Sequence, residues 1–88
     1  MSDWTKGPWT KEGRHVLAAD GGTVATVTAL RDEWDANGRL ISAAPDLYAT
    51  LRDVRRFVAE TAPLLGDGAA PVLATIDAAL AKADGRIP

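Results

Sequence analysis

The strongest hydrophobic pattern in the chain begins at Leu40. From there, large apolar residues and one alanine recur at alternating steps of four and three, which places them on one face of a helix. Ile41 and Phe57 widen this face. A stripe of this period is typical of a helix that packs along another helix or along a second copy of itself. Its positions are Leu40, Ala44, Leu47, Leu51, Val54 and Val58.

Two features complicate the start of this helix. Pro45 lacks a backbone N–H and disfavours α geometry in the preceding residue, so we expect the helical region 31–61 to be broken or kinked there. Asn37-Gly38 lies between apolar residues, which is a signal for a hairpin turn. The alternative is that both residues belong to a helix whose first turn carries Asp32 and Glu33. The residues alone leave both alternatives open.

The first thirty residues have a β pattern. β-branched residues dominate Thr23 to Thr28, and Arg14 to Ala18 is a second candidate strand. Asp20-Gly21-Gly22 provides a turn between them, and Gly7 to Thr10 can enter another short strand. We therefore predict an antiparallel β meander over residues 7–29, preceded by a flexible segment at 1–6.

A second helical region follows the loop signal Gly66-Asp67-Gly68. Pro71 is suited to the first turn of a helix, and apolar residues continue at helical spacing behind it. This predicts a C-terminal helix over 70–84. The whole chain is then one domain, 1–88, of the α+β class, with a small antiparallel β meander of two or three strands followed by two or three α-helices. The apolar positions of the last helix are Val72, Ile76, Ala79, Leu80 and Ala83.

Composition makes the predicted core thin. Hydrophobic residues form 47% of the 88 residues, but seventeen of them are alanines, which bury little area. A chain of this length buries only about 60% of its unfolded surface, so a partner would supplement its stability. We therefore expect a homo-oligomer or a complex with a target, and the candidate self-association residues are Leu47, Leu51, Val54 and Val58.

Several kinds of chemistry are excluded or disfavoured by the residue counts. The chain has no cysteine and one histidine, His15, so thiolate metal sites, disulfides and multi-histidine sites cannot form within it. The net charge of −2 makes general nucleic-acid binding unlikely. The start of the chain does not resemble a signal peptide, and the longest apolar runs fall short of a membrane span. On these grounds we predict no cofactor, no metal site and no membrane association. We also predict no enzymatic activity, because no activated nucleophile or acid–base pair is evident.

Candidate contact residues fall into two groups, and each also has a simpler explanation. Trp4 and the acidic residues around Trp34 are candidates for contact with a partner, although acidic residues also suit a helix N-terminus and tryptophans also cover thin cores. The arginines are candidates for ligand or anion contact, although Asp53 and Glu60 at helical spacing can neutralise Arg56 locally. The partner group is Trp4, Asp32, Glu33 and Asp35, and the ligand group is Trp34, Arg39, Arg52, Arg55 and Arg56.

The segment from Asn37 to Leu51 reads NGRLISAAPDLYATL. It resembles a segment, approximately NARLIAAAPDLLEAL, that recurs in a family of short bacteriophage and prophage proteins. There it follows a tryptophan-containing β meander with an Asp-Gly turn, comparable to Trp9 and Asp20-Gly21 here. The resemblance covers about residues 7–59 and carries no catalytic motif. It implies a helical conformation at Asn37, a phage origin and a location in the cytoplasm of the bacterial host cell.

These observations lead to two functional hypotheses. The first is a non-catalytic, phage-encoded interaction protein, for example an anti-CRISPR-like counter-defence inhibitor that binds a host protein and blocks it. The alternative is an oligomeric small-ligand binder that sequesters a nucleotide second messenger of host immunity. A DNA-binding regulator would depend on the arginines alone, and the acidic balance disfavours it.

Overall fold

A computed structural model describes residues 4–28 and 31–85. Three short strands come first, β1 (Thr10–Glu12), β2 (His15–Leu17) and β3 (Thr23–Thr26). The long helix α1 (Arg31–Leu65) follows, and a 3-10 turn (Gly66–Gly68) connects it to α2 (Ala69–Ala83). The predicted α+β class and the order of strands before helices are confirmed. The flexible segment predicted at 1–6 lies partly outside the described residues and stays a prediction.

The strands form an antiparallel sheet in the order β1-β2-β3. Val16 on the central strand pairs with Lys11 on one side and Ala25 on the other. The register shifts after Val16, so that Leu17 pairs with Thr23. The first strand is Thr10–Glu12, so the segment Gly7 to Thr10 leads into it as predicted and shares Thr10 with it. Gly13, with a φ of 59°, places the chain reversal directly after Glu12.

The predicted turn between the second and third strands is present. Gly21 has a φ of 90°, a conformation that glycine adopts readily. The Gly22 backbone N–H donates a hydrogen bond of 2.9 Å to Oδ1 of Asp20, and the Ala18 N–H donates one of 2.7 Å to the Gly22 carbonyl. These bonds close the turn without help from the rest of the chain.

Helix α1 is continuous through both positions that complicate its prediction. Asn37 and Gly38 are helical, which excludes the hairpin alternative, and the helix is not broken at Pro45. A proline inside a helix removes one backbone hydrogen bond, and packing can compensate for that loss. Here the proline ring lies against the N-terminal segment, since a Cβ built on Gly7 would fall 2.9 Å from Cβ of Pro45.

Gly38 has a similar packing explanation. The residue is buried, and a Cβ built on it would fall 2.9 Å from Cε of Lys11. The aliphatic stem of Lys11 therefore crosses the helix where the side chain is missing. A glycine inside a helix costs about 1 kcal/mol relative to alanine, and this close approach is what it permits.

The chain divides into two compact units. One comprises residues 3–47 and the other comprises residues 48–88, and α1 contributes to both. In the N-terminal unit the buried apolar residues are Val16, which is fully inaccessible, Ala18 and Val27. In the C-terminal unit they are Ala69, Ile76 and Leu80. Each unit thus has a small core of its own.

The C-terminal unit is a helical hairpin. Gly66, with a φ of 63°, ends α1 in the left-handed conformation that commonly closes a helix. Arg55 on α1 contacts Asp77 on α2, and Tyr48, which is earlier on α1, contacts Asp84, which is later in the chain. Contacting residues are therefore farther from Gly66 on both sides as the chain is followed away from it. Helix α2 therefore runs antiparallel to the second half of α1.

Candidate functional site

One side of the C-terminal hairpin exposes large apolar side chains. Phe57 is 66% exposed and Leu64 is 88% exposed, although a folded chain usually buries such residues. Their spacing of seven residues places them on the same face of α1. Val54 precedes Phe57 by three residues and is 42% exposed, so it extends the same face. We define the apolar side as Val54, Phe57, Leu64, Leu65 and Val72.

Helical geometry separates the apolar side from the contacts between the helices. Successive residues of an α-helix are about 100° apart, so Phe57 points away from the direction of Arg55 on the same helix. Arg55 in turn contacts Asp77 on α2. On α2, Val72 is likewise about 140° from Asp77. The ion pair thus marks one side of the hairpin, and the exposed apolar residues lie on another.

Acidic residues border the apolar side. Asp53 and Glu60 are exposed and are seven residues apart on α1. Each precedes an exposed apolar residue by one helical turn, Phe57 in one case and Leu64 in the other. Among the described residues, no ion pair involves Asp53, Glu60 or Arg56. The predicted pairing of Arg56 with these two carboxylates is therefore wrong, and both remain open to solvent. We call Asp53 and Glu60 the acidic border.

The other side of the hairpin is polar. The hydroxyl of Tyr48 donates a hydrogen bond of 2.8 Å to Oδ1 of Asp84. The Arg52 guanidinium lies 5.9 Å from the centre of the Tyr48 ring, within range of a cation–π interaction. Arg55 donates from Nε and Nη2 to the two carboxylate oxygens of Asp77. The hydrogen bond with Asp77 raises the pKa of Arg55 above its ordinary value, so this arginine stays charged.

An open cleft of about 740 Å³ lies on the polar side. Two of the predicted ligand residues, Arg52 and Arg55, line it, and Arg56 joins Arg52 at an adjoining hollow of about 290 Å³. The cleft also contains carboxylates, so it is electrically mixed. Its full lining is Tyr48, Arg52, Arg55, Asp77, Leu80, Ala81 and Asp84.

The remaining predicted ligand residues, Trp34 and Arg39, belong to the N-terminal unit. The ammonium of Lys11 and the guanidinium of Arg14 each lie 5.0 Å from the centre of the Trp34 ring. The indole Nε1 is buried and has no hydrogen-bond partner among the residues that the structure describes. The ring is thus covered by two cationic side chains, and the five predicted ligand residues do not form one described site.

Asp35 forms ion pairs with two cations. Lys11 Nζ lies 2.7 Å from its Oδ1, and Arg39 donates to its Oδ2. The hydrogen bond from Lys11, followed by that from Arg39, lowers the pKa of Asp35 below its ordinary value. Within the N-terminal unit this carboxylate therefore acts as a structural ion, which weakens its candidacy as a partner contact. Sequence reasoning missed the roles of Lys11 and Arg14, because a residue's place in a strand does not indicate which helix it faces.

The other predicted contact residues have varied environments. Asp32 and Glu33 are exposed in the first turn of α1, where negative charges interact favourably with the helix dipole. Trp4 is half-buried. Of the self-association candidates, Leu47 and Val54 are exposed, whereas Leu51 and Val58 are half-buried. Their role in self-association stays a prediction.

The described residues contain no evident metal site and one long apolar helical stretch. Within residues 4–28 and 31–85, no group of three or more His, Asp or Glu side chains is arranged to hold a metal ion. One helical stretch within Asp32–Ala83 is long and apolar enough to cross a membrane, with a mean hydropathy of 1.4 and 17% of the stretch buried. Length and composition alone are weak indications, since helices of soluble proteins pass the same test. The absence of membrane association stays a prediction.

Comparison with known proteins identifies the origin of the chain. No curated protein and no solved structure matches it. The sequence profile of one family, described as Salmonella phage P22 protein Y8K6, matches residues 1–87. This match confirms the predicted relation to small phage proteins, whereas the particular segment from Asn37 to Leu51 stays a prediction. The match covers nearly the whole chain, and the protein is therefore a small phage protein that belongs to the P22 Y8K6 family.

Proposed function

We propose that the protein is a non-catalytic interaction protein that binds a host protein through the apolar side of its C-terminal hairpin and blocks it. The observation that carries this proposal is the exposure of Phe57 and Leu64 in a unit whose described residues include only three buried apolar ones, Ala69, Ile76 and Leu80. Apolar side chains in water are unfavourable by about 25 cal/mol per Å², so covering them favours association. Exposed apolar patches commonly mark protein–protein interfaces.

Blocking a host protein requires only that the complex covers a surface which that protein needs. A bulky aromatic residue at the centre of such a contact typically supplies a large share of the affinity. Phe57 has this position, with Val54 and Leu64 on either side along α1. Host defence complexes, including CRISPR systems, are reasonable targets for a phage protein of this kind.

Capture from lysate of the natural bacterial host tests the proposal. The tagged protein should retain a host protein in stoichiometric amounts, and its addition should inhibit the activity of that protein. Phe57→Ser and Leu64→Ser should abolish capture with little change in stability, since both side chains are exposed. Leu40→Ser is the matched control, because Leu40 is 64% exposed and lies in the N-terminal unit. Equal capture by the serine variants and the original chain would contradict the proposal.

The polar side of the hairpin supports the alternative function. A cleft of about 740 Å³ with Arg52 and Arg55 in its lining is large enough for a nucleotide-sized ligand. Guanidinium groups bind phosphate well, whereas Asp77 and Asp84 in the same lining oppose an anion. Native mass spectrometry of protein from infected cells would detect a retained nucleotide. If Arg52→Glu and Arg55→Glu leave the bound nucleotide in place, this cleft is not the ligand site.

A further inference from the structure

The acidic border gives the apolar side a chemical preference among partners. Asp53 and Glu60 follow the same side of α1 as Phe57 and Leu64, one helical turn before each. All four side chains are exposed. A partner that covers the apolar residues therefore brings its own flanking residues close to two carboxylates.

From this arrangement we propose that the apolar side docks an amphipathic helix that carries lysine or arginine beside its apolar seam. This inference rests on the proposed function and specifies the partner. Phe57 and Leu64 are seven residues apart. This spacing matches the repeat of apolar residues along a partner helix that packs parallel or antiparallel to α1. Cations beside that seam would meet Asp53 and Glu60, whose charges no cation among the described residues offsets within ion-pair distance.

A second copy of the chain is a poorer occupant of this surface. If two copies paired α1 in antiparallel fashion about the middle of the Asp53–Glu60 interval, Asp53 of one copy would face Glu60 of the other, and like charges would meet. In a parallel pairing, Asp53 and Glu60 of one copy would lie beside Leu51 and Val58 of the other copy. These two apolar residues offer no cation. Neither arrangement neutralises the acidic border.

An anionic lipid surface is also disfavoured. Membrane-binding helices usually carry lysine and arginine beside their apolar face, because these residues attract acidic headgroups. Here Asp53 and Glu60, which such headgroups repel, are closer to Phe57 and Leu64 around the helix than Arg56, the arginine next to both acids. The same charges disfavour a nucleic-acid backbone.

Two synthetic peptides of 21 residues test the inference. Both are amphipathic helices with the same leucine seam, and they differ only in having lysine or glutamate beside that seam. At low ionic strength the full-length protein should bind the lysine peptide about 2- to 10-fold more tightly, as expected for two exposed charge pairs. The difference should shrink in 0.5 M salt because exposed charges are screened.

Charge reversal supplies the decisive comparison. The double variant Asp53→Lys, Glu60→Lys should prefer the glutamate peptide, while Asp67→Lys, an exposed acid in the 3-10 turn, should keep the original preference. Phe57→Ser should weaken both peptides alike. Equal binding of the two peptides, or a preference that survives the reversal, would overturn the inference.

Two further outcomes separate this inference from its alternatives. If light scattering shows a dimer that Phe57→Ser converts to a monomer, the apolar side is an interface between copies and the inference is wrong. If the host protein is captured through Phe57 but contacts it without a basic helix, the proposed function stands and this inference fails. If the peptide preference reverses but no host protein is captured, the proposed function fails instead.

Discussion

The two units of this protein have equally small cores but treat their largest side chains differently. In the N-terminal unit, Trp34 is covered by the side chains of Lys11 and Arg14. In the C-terminal unit, Phe57 and Leu64 are left mostly in water. The N-terminal unit thus covers the ring of Trp34 but leaves Leu40 and Leu47 exposed, whereas the hairpin leaves its one phenylalanine and Leu64 exposed.

The sharpest test of this contrast compares two leucines in the hairpin. Leu80→Ala should lower the free energy of unfolding by about 2–5 kcal/mol, because it leaves a cavity in the core. Leu64→Ala should change it by no more than about 0.5 kcal/mol, since that side chain is exposed. Urea unfolding followed by circular dichroism measures both. A large loss for Leu64→Ala would show that another molecule or copy already covers this residue in solution.

The second test concerns how Trp34 is covered in the N-terminal unit. Trp34→Ala should cost about 2–3 kcal/mol, somewhat less than for a fully buried ring. Trp34→Phe should cost less than about 1 kcal/mol, because it also removes a buried N–H that has no hydrogen-bond partner. The same unfolding measurement distinguishes them. If phenylalanine is as harmful as alanine, the indole N–H has a partner in solution.

A third test examines the contact between Gly38 and Lys11. In the original chain Gly38→Ala should leave stability nearly unchanged or slightly lower, because the gain in helix propensity is opposed by the close approach of Lys11. In a Lys11→Ala background the same change should stabilise by about 0.5–1 kcal/mol. A double-mutant cycle measures the coupling between the two sites. Additive effects would mean that the lysine stem moves aside freely.

The smallest expected effect concerns pH. Asp35 has a lowered pKa in the folded state, so its ion pairs with Lys11 and Arg39 stabilise the protein above the ordinary carboxyl pKa of about 3.9. That contribution is lost as the pH falls through the lowered pKa of the folded state. In unfolding experiments from pH 7 to pH 2.5, Asp35→Asn should therefore show a shallower loss of stability than the original chain. Parallel pH profiles would contradict this role for Asp35.

The elements that depend on local signals could be predicted from sequence. Repeated apolar residues indicated α1, Asp20-Gly21-Gly22 indicated its turn, and Gly66-Asp67-Gly68 indicated the break between the helices, although α1 continues to Leu65 and the predicted region ended at residue 61. Each of these depends on a conformational preference or period within a few residues. The continuity of α1 at Pro45 could not be predicted, because the packing around this proline includes Gly7, which is 38 residues away in the sequence.

The candidate site was only partly predictable for a related reason. The stripe from Leu40 to Val58 indicated the helix that carries the candidate site, but periodicity does not show which part of a wide apolar face the next helix will cover. Leu51 and Val58 turn out half-buried, while Phe57 and Leu64 are exposed. The predicted local pairing of Arg56 also failed, because spacing permits an ion pair between exposed side chains without making it favourable enough to persist.

The reversal of the chain at Gly66 has a consequence for the order in which the protein folds during synthesis. Residues paired across β2 and β3 are at most 11 apart, whereas the contact of Tyr48 with Asp84 in the hairpin spans 36 residues. At about 5–20 residues per second, the ribosome releases the first unit a few seconds before α2 is complete. The hairpin that carries the surface proposed to meet the host is therefore the last part of the molecule to be closed.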